Sequence, residues 1–407
     1  MLKRELQIGN GLLHRRPFTN VRFWARMGLP PSGPGEKNMM DEARLRPFGA
    51  LIIKLQSGGS LTREEAHDAY RQIFSNEQPE LQQGALVAAH ACAPPTVDSL
   101  VGLTQAHNDE WSRCIPHTVD AGRPHLGIVG VGMDGLKSFN VSSASAVVAS
   151  VFVPVHKVGA PGMTGPSGSA DAFALWGVDL GAPTEAAFEG ASQHGLGFTS
   201  PVSPRLRHMG IGRVLSQMRC KTMIHLAGPL GFHSGERHKI IGVPAPPLTG
   251  LVAACMQALG YTAGLVPCGT AHGVHDRFMD EFSTVGPTHV ARLKDGVVEQ
   301  FTLNPEDFGV KTATLADIAA AEDRVANARI GARAIAGLAD AAHEDLLVVN
   351  AGACLVLMGA ATDWRDGAAQ ARAAIRDGRA LAQLEGLIRR QNAEPAAGLA
   401  MLHGHLA

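Results

Sequence analysis

The sequence predicts an α/β protein in which a small helical unit precedes a larger domain built on a central sheet. Three observations point there. From about Arg46 to residue 118 the pattern is helical, with capping signals and apolar residues at helical spacing. From Leu126 onward, short strand-like runs alternate with helical stretches, the pattern of an α/β domain. From Leu315 to about Arg390 the chain reads as mostly helix.

The elements follow in order. Thr62-Arg63-Glu64-Glu65 is a capping box, because the Thr hydroxyl can take the first free amides and Glu65 can reach back. Pro79 suits a first helical turn, and Leu81, Ala85, Leu86 and Ala89 recur at helical spacing after it. Residues 126–130 read as a buried strand entering a glycine loop. Residues 144–150 read as helix, 151–155 as extended and 169–176 as helix. Residues 238–243 read as extended, 248–259 as helix and 264–266 as a short strand. Residues 290–293 and 297–303 flank Lys294-Asp295-Gly296, an Asp-Gly hairpin signal. No internal repeat of fixed period is present. The organisation is therefore a basic extension at 1–45, a helical domain at 46–118, an α/β domain at 119–395 and a tail at 396–407.

Composition excludes several classes. The apolar fraction is 45% and the charged fraction 18%, which suits a globular chain and not a disordered one. Lys and Arg number 36 against 37 Asp and Glu, so the whole chain has no electrostatic footprint for nucleic acid. Aromatics are only 5%, leaving few platforms for stacking bases. Residues 1–47 differ, with nine Lys or Arg against four acids. Glu5 falls early there and no apolar core or cleavage pattern marks a targeting peptide. The run Pro30-Pro31-Ser32-Gly33-Pro34-Gly35 ends that segment. The six cysteines form no CxxC pair and read as reduced core thiols, which implies a cytoplasmic protein. The longest apolar stretch, 346–362, is interrupted by Asn350 and reads as a buried helix rather than a membrane span.

Three stretches carry chemistry. In the first, a strand feeds Gly130-Val131-Gly132-Met133-Asp134-Gly135, then Ser138, Asn140, Ser142 and Ser143. Glycines there let backbone amides approach an anionic group, and the polar side chains add donors and acceptors. No Gly-Lys-Ser/Thr closes the loop, so it is not a P-loop, and its spacing is not a dinucleotide fingerprint. In the second, Lys157 enters a Gly/Pro loop with Thr164 and Ser167 that ends at Ser169 and a helix start. A lysine there can neutralise a phosphate and the serines can cap the helix or bind an anion. In the third, Asp280 and Glu281 are adjacent acids between apolar residues. Hard carboxylate oxygens of this kind suit a Mg²⁺ ion that in turn holds a diphosphate, whereas a plain solvated turn remains the simpler alternative.

Together these stretches resemble the anthranilate phosphoribosyltransferase family. Gly130 to Gly135 is similar to its GTGGDG loop, and Ser138 to Ser143 to its TFNIST segment. Lys157 to Asp171 aligns without gaps to KHGNRxxSSxSGSAD, and Asp280-Glu281 to the metal-binding Asp-Glu pair. Gly228-Pro229-Leu230, Gly286-Pro287-Thr288 and Leu303-Asn304-Pro305-Glu306-Asp307-Phe308 match as well. The resemblance spans roughly residues 46–390.

The resemblance implies a nucleoside phosphorylase/phosphoribosyltransferase-like fold, with a mostly parallel sheet. Its helical domain would include an inserted segment near 165–220, and the chain would pair as a homodimer through that domain. It implies displacement of pyrophosphate from phosphoribosyl diphosphate (PRPP) by an aromatic nitrogen acceptor, with Mg²⁺ as cofactor. Gly130, Gly132, Asp134, Ser138, Asn140, Ser142, Ser143, Lys157, Thr164 and Ser169 would contact PRPP. Ser142, Asp280 and Glu281 would hold the metal, and Gly130, Val158, Ala160 and Arg213 would face the acceptor. No residue is implied as a covalent catalyst.

The departures fall mostly on the acceptor side. The family's His, Asn and Arg after the lysine are Val158, Ala160 and Pro161. The second glycine of its GG pair is Met133. The acceptor arginine maps to Arg213, with Arg207 and Arg219 as alternatives across a two-residue gap. These changes predict an acceptor other than anthranilate. A nucleic-acid-binding relative without catalysis and a nucleoside phosphorylase stand as alternatives; the retained Asn140, Ser142, Lys157, Asp280 and Glu281 count against the first, and the acid pair against the second.

Overall fold

The computed structural model describes residues 42–162 and 167–407. Helices α1 (Glu42–Gln56), α2 (Arg63–Phe74), α3 (Glu80–Cys92) and α4 (Val97–Cys114) form the helical unit. The capping box at Thr62 is present, with Glu65 Oε2 accepting from Thr62 N at 2.8 Å. Glu65 also takes Lys54 Nζ at 2.6 Å and ties α2 to α1. On α3 the buried face is Gln83, Leu86, Val87 and His90, while Leu81 and Ala85 point outward. Helical spacing alone does not mark this face, because polar side chains inside α3 have partners. His90 Nδ1 meets Tyr70 Oη at 2.9 Å, and Gln83 Nε2 donates to Asn76 Oδ1 at 2.8 Å.

The sheet has eight strands: β1 (Leu126–Gly130), β2 (Val155–Val158), β3 (Leu196–Thr199), β4 (His238–Gly242), β5 (Ala263–Ala271), β6 (Val274–Met279), β7 (Thr288–Lys294) and β8 (Val297–Leu303). Their order is β3-β2-β1-β4-β5-β7-β8, with β6 paired to β5. The strands from β3 to β5 are parallel and the remaining pairings are antiparallel. Parallel strands need crossovers, and helices supply them. They are α5 (Val141–Ala149), α6 (Ser169–Leu175), α7 (Thr184–His194), α8 (Gly210–Met218), α9 (Ile224–Ala227) and α10 (Pro247–Leu259). Five more helices follow: α11 (Arg324–Ile335), α12 (Ala341–Leu357), α13 (Trp364–Arg376), α14 (Arg379–Arg390) and α15 (Pro395–Leu406).

Side chains alternate across each strand, so the sheet separates two cores. Leu126, Ile128, Val155 and Ile240 join the core shared with α5 and α12. Ile241, Val266 and Leu293 join the core shared with α10 and the helical unit. The helical unit thus lies against one sheet face.

Several expectations need correction. Residues 151–153 are a turn and not a strand: their amides bond back to Val148 and Ala149 carbonyls as α5 unwinds, and Val153 is buried. The strand begins at Val155. Residues 264–266 are part of a nine-residue strand. The hairpin is as expected, with φ of 51° at Asp295 and 73° at Gly296 in its tight turn. The stretch read as a tail is helix α15. Val214 of α8 and Ile224 and Ala227 of α9 share the core of the helical unit, while Phe188 and Ala191 of α7 cluster with Trp111 of α4. All six cysteines are free, but Cys92 and Cys220 are exposed rather than core thiols. Among the described residues no helix is long and apolar enough to cross a membrane.

Candidate active site

The carboxyl ends of β1, β2 and β4 lie side by side, where ligands of open parallel sheets bind. The loop after β1 is fixed by two bonds, from Gly135 N and Leu136 N to Phe278 O on β6, at 2.9 and 3.0 Å. Gly132 has φ of 74° and Met133 φ of 65°. Methionine in that left-handed conformation costs about 1–2 kcal/mol. Its side chain packs on the core of the helical unit, which offsets part of that cost. The loop thus keeps a left-handed turn even where glycine is absent.

Asp280 follows β6 and arrives between the ends of β1 and β4. A methyl group on Gly130 would lie 2.4 Å from Asp280 Oδ2, and one on Gly242 1.5 Å from Asp280 O. Both glycines are therefore required by close approach, not by loop flexibility. Asp280 Oδ2 accepts from Gly132 N at 2.6 Å. Burial, then the charge of Asp134, pushes the Asp280 carboxyl up to about 7. Burial, followed by Asp280 and Asp134, holds the Glu281 carboxyl well above its usual range. Lys137, paired with Asp134, and Lys157 oppose this. The acids thus want more positive charge than the protein supplies. Among the described residues no three His, Cys, Asp or Glu side chains converge closely enough to hold a metal alone. The donor set instead suits Mg²⁺, which uses one or two carboxylates and completes its shell with phosphate oxygens and water.

Lys157 closes β2 and is fully buried. Its Nζ donates to Ser169 Oγ at 3.2 Å and to Val158 O at 3.4 Å. Burial, with repulsion from Lys239, lowers its pKa to about 8, while Asp280 and Glu281 pull it back up. Asn140 stands at the N-cap of α5 and receives Ser167 Oγ on its Oδ1 at 3.0 Å. The Ser138 and Ser143 hydroxyls are buried without a protein partner. An unpaired buried hydroxyl costs about 1–3 kcal/mol, so a ligand that supplies the bond has something to gain there. Ser142 is half-buried at the start of α5. Thr164 lies outside the described residues.

The acceptor-side residues part company. Val158 is half-buried against an apolar cluster that includes Trp111, Ile115, Phe188, Leu206 and Met209. Ala160 is exposed, and its carbonyl receives Ala170 N at 3.1 Å. Arg213 is turned into the helical unit: Nη2 donates to Ile73 O at 2.6 Å and Gln83 Oε1 at 2.7 Å. In this structure the Ile73 carbonyl at the end of α2 holds the guanidinium. Arg207 and Arg219 are exposed, with Arg207 Nε on His208 Nε2 at 3.1 Å.

Two site residues escaped the sequence reading. Lys137 balances Asp134, a pairing signalled by its three-residue spacing inside the loop. Asp171 accepts from Gly162 N at 2.7 Å and Gly168 N at 2.8 Å, closing the base of the Lys157 loop. Its place at the third position of α6 was the available signal.

Residues 122–381 match the glycosyl transferase family, a/b domain, and residues 50–109 match the helical bundle domain of the glycosyl transferase family. The anthranilate phosphoribosyltransferase of Methylocella silvestris is 33% identical over 348 residues, covering 84% of this chain and 95% of its own. That of Beijerinckia indica is 35% identical over 351 residues, covering 85% and 97%. The solved anthranilate phosphoribosyltransferase from Thermus thermophilus superposes with a TM-score of 0.71 at 26% identity, covering 84% of this chain and 99% of that one. The Saccharomyces cerevisiae enzyme in complex with PRPP and Mg shares the fold, with a TM-score of 0.68 at 22% identity, covering 85% and 98%.

Proposed function

The chain belongs to the glycosyl transferase family that includes the anthranilate phosphoribosyltransferases, and from that premise we propose that it transfers 5-phosphoribosyl from PRPP to an aromatic amine or N-heterocycle other than anthranilate. The observation that carries this reading is the placing of Asp280, with Glu281 next to it, against the Gly130–Gly132 loop, where Asp280 Oδ2 accepts from Gly132 N and would meet any side chain on Gly130.

In this reading the bond between the ribose anomeric carbon and the diphosphate breaks, and its electrons leave with pyrophosphate. The acceptor nitrogen then bonds to that carbon and loses a proton. Asp280, Glu281 and Ser142 would hold Mg²⁺, which would supply positive charge to the departing diphosphate. Lys157, the Gly130 and Gly132 backbone, Asp134, Asn140, Ser138, Ser143 and Ser169 bind and orient PRPP, and Thr164 joins them by its place in the motif. Fixed donors aimed at developing charge stabilise the transition state, so no covalent nucleophile is needed.

The acceptor follows from what surrounds Val158. An apolar wall offers no donor to a carboxylate, and Arg213 is held by Ile73 and Gln83. A less polar ring therefore fits better than anthranilate. The test is a panel of aromatic amines and N-heterocycles with PRPP and Mg²⁺, scored by pyrophosphate release. Release with none of them, from a chain that binds PRPP, would sink the reading. The same reading makes the chain a homodimer through the helical unit, where Ile53 and Leu81 are 63% and 90% exposed.

A further inference from the structure

Asn350 is the one amide side chain inside the apolar run of α12, and it is 5% exposed. A buried amide in such a helix is costly unless each of its polar atoms is paired. Its partners lie 68 residues earlier. Asn350 Oδ1 accepts from Phe282 N at 2.9 Å, and Nδ2 donates to Phe282 O at 2.9 Å. Nδ2 also donates to Leu346 O at 2.9 Å, within α12. The exchange of two bonds with one residue is what an antiparallel neighbour strand would provide. Here a single side chain provides it.

Phe282 directly follows Glu281. Bonds to both its N–H and its C=O fix the two peptide planes on either side of it, and so the direction in which Glu281 leaves the chain. The rest of the turn is held in the same way. Ser283 N donates to Thr288 Oγ1 at 2.9 Å, and Ser283 Oγ to Thr270 O at 2.7 Å. Asp280 is tied to Gly132. Adjacent acids repel, Asp280 buried and Glu281 half-buried, and these bonds hold the turn that carries them beside the loop after β1.

We propose that Asn350 is a positioning residue that holds Asp280 and Glu281 ready for a divalent cation bound with a diphosphate. The proposal rests on the phosphoribosyltransferase reading above. A side chain that merely satisfied a buried backbone would affect stability and leave metal affinity alone, so the two roles separate experimentally. Outer partners that orient metal ligands typically change metal affinity about 10–100-fold when removed.

The experiment measures Mn²⁺ binding by electron paramagnetic resonance, with PRPP present, for the full chain and for Asn350→Leu and Asn350→Gln. Leucine keeps the volume in an apolar helix and removes both bonds; glutamine keeps the amide but displaces it. The expected result is cooperative unfolding in both variants, with Mn²⁺ affinity at least about tenfold weaker in Asn350→Leu and less weakened in Asn350→Gln. A folded Asn350→Leu chain that binds Mn²⁺ within about twofold of wild type overturns the proposal. Should that variant not fold, hydrogen exchange of the wild-type Phe282 amide decides. Protection already complete in the free chain supports the proposal, and protection that appears only on adding PRPP and Mg²⁺ overturns it. A wild-type chain that binds no Mn²⁺ with PRPP overturns the functional reading as well, whereas equal binding by wild type and variant overturns only the role of Asn350.

Discussion

Asp280 Oδ2 accepts the Gly132 N–H at 2.6 Å across 148 residues of sequence. This bond joins the end of β6 to the loop after β1, and Gly130 and Gly242 leave the space for it. It also means that a cation reaching Asp280 and an anion reaching the Gly132 amide address one hydrogen bond. Their binding is therefore coupled, because each changes what the other finds.

The acid pair should be expendable for folding and essential for the ligand. Asp280→Asn keeps an oxygen for Gly132 N and removes a buried charge that Asp134 and Glu281 repel. The expected outcome is a melting temperature unchanged or raised by roughly 2–4 °C, which corresponds to about 1 kcal/mol in a domain of 150–250 residues and less in a longer chain. Combined with Glu281→Gln, it should abolish Mg²⁺-dependent PRPP binding. Isothermal calorimetry with and without Mg²⁺ checks this; unaltered PRPP affinity in the double variant contradicts the site.

Acid should weaken the fold through two buried histidines. His107 meets His233 Nε2 at 3.2 Å, and His156 meets Thr199 Oγ1 at 2.9 Å. Burial lowers both from 6.5 to about 3. Between those values the unfolded chain takes up protons that the folded chain refuses, so stability rises with pH. It is fully present above 6.5 and is lost progressively below it, by about 1.4 kcal/mol per histidine at pH 5.5. Urea unfolding at pH 7.5 and 5.5 measures it. His156→Gln should lose about 1.4 kcal/mol less than wild type between those two values, and equal losses would count against a neutral His156.

The acceptor side offers a gain-of-function test. The wild-type chain should turn over anthranilate with kcat/KM below about 10⁴ M⁻¹s⁻¹, the lower end of ordinary enzymes. Val158→His with Ala160→Asn returns two polar side chains to positions where this chain has none. The expected outcome is improved anthranilate turnover with PRPP KM altered little. Steady-state kinetics showing wild-type values already in the ordinary range would mean that Val158 and Ala160 do not set the acceptor.

The helical unit presents Leu81 and Ile53 to solvent. Leu81→Lys together with Ile53→Lys should shift the chain from dimer to monomer in light scattering. Because both side chains are exposed, unfolding of the variant should stay cooperative. A chain that is monomeric before substitution removes the dimer from the reading.

Much of the site was legible in the sequence because its chemistry is local. Glycines where backbones approach, a lysine at a strand end and two adjacent acids are short-range patterns, and β1 and the Asp295-Gly296 hairpin follow from alternation and turn chemistry. What sequence could not supply were contacts between distant segments. Nothing near Arg213 announces that the end of α2 claims its guanidinium. Apolar spacing marks α3 as a helix but not its buried face, because it cannot see that Gln83 and His90 find buried partners. The apolar run at 151–153 reads as a strand until the end of α5 draws its amides back. Asn350 looked like a flaw in an apolar helix until Phe282 stood beside it. The sequence by itself determined the helices of the helical unit, β1, the β7–β8 hairpin and which residue types follow the strand ends, because propensity and periodicity act over a few residues. Only the tertiary structure decided which buried polar groups are paired, and therefore which cations and amides are left for a ligand, because pairing depends on chain segments brought together by packing.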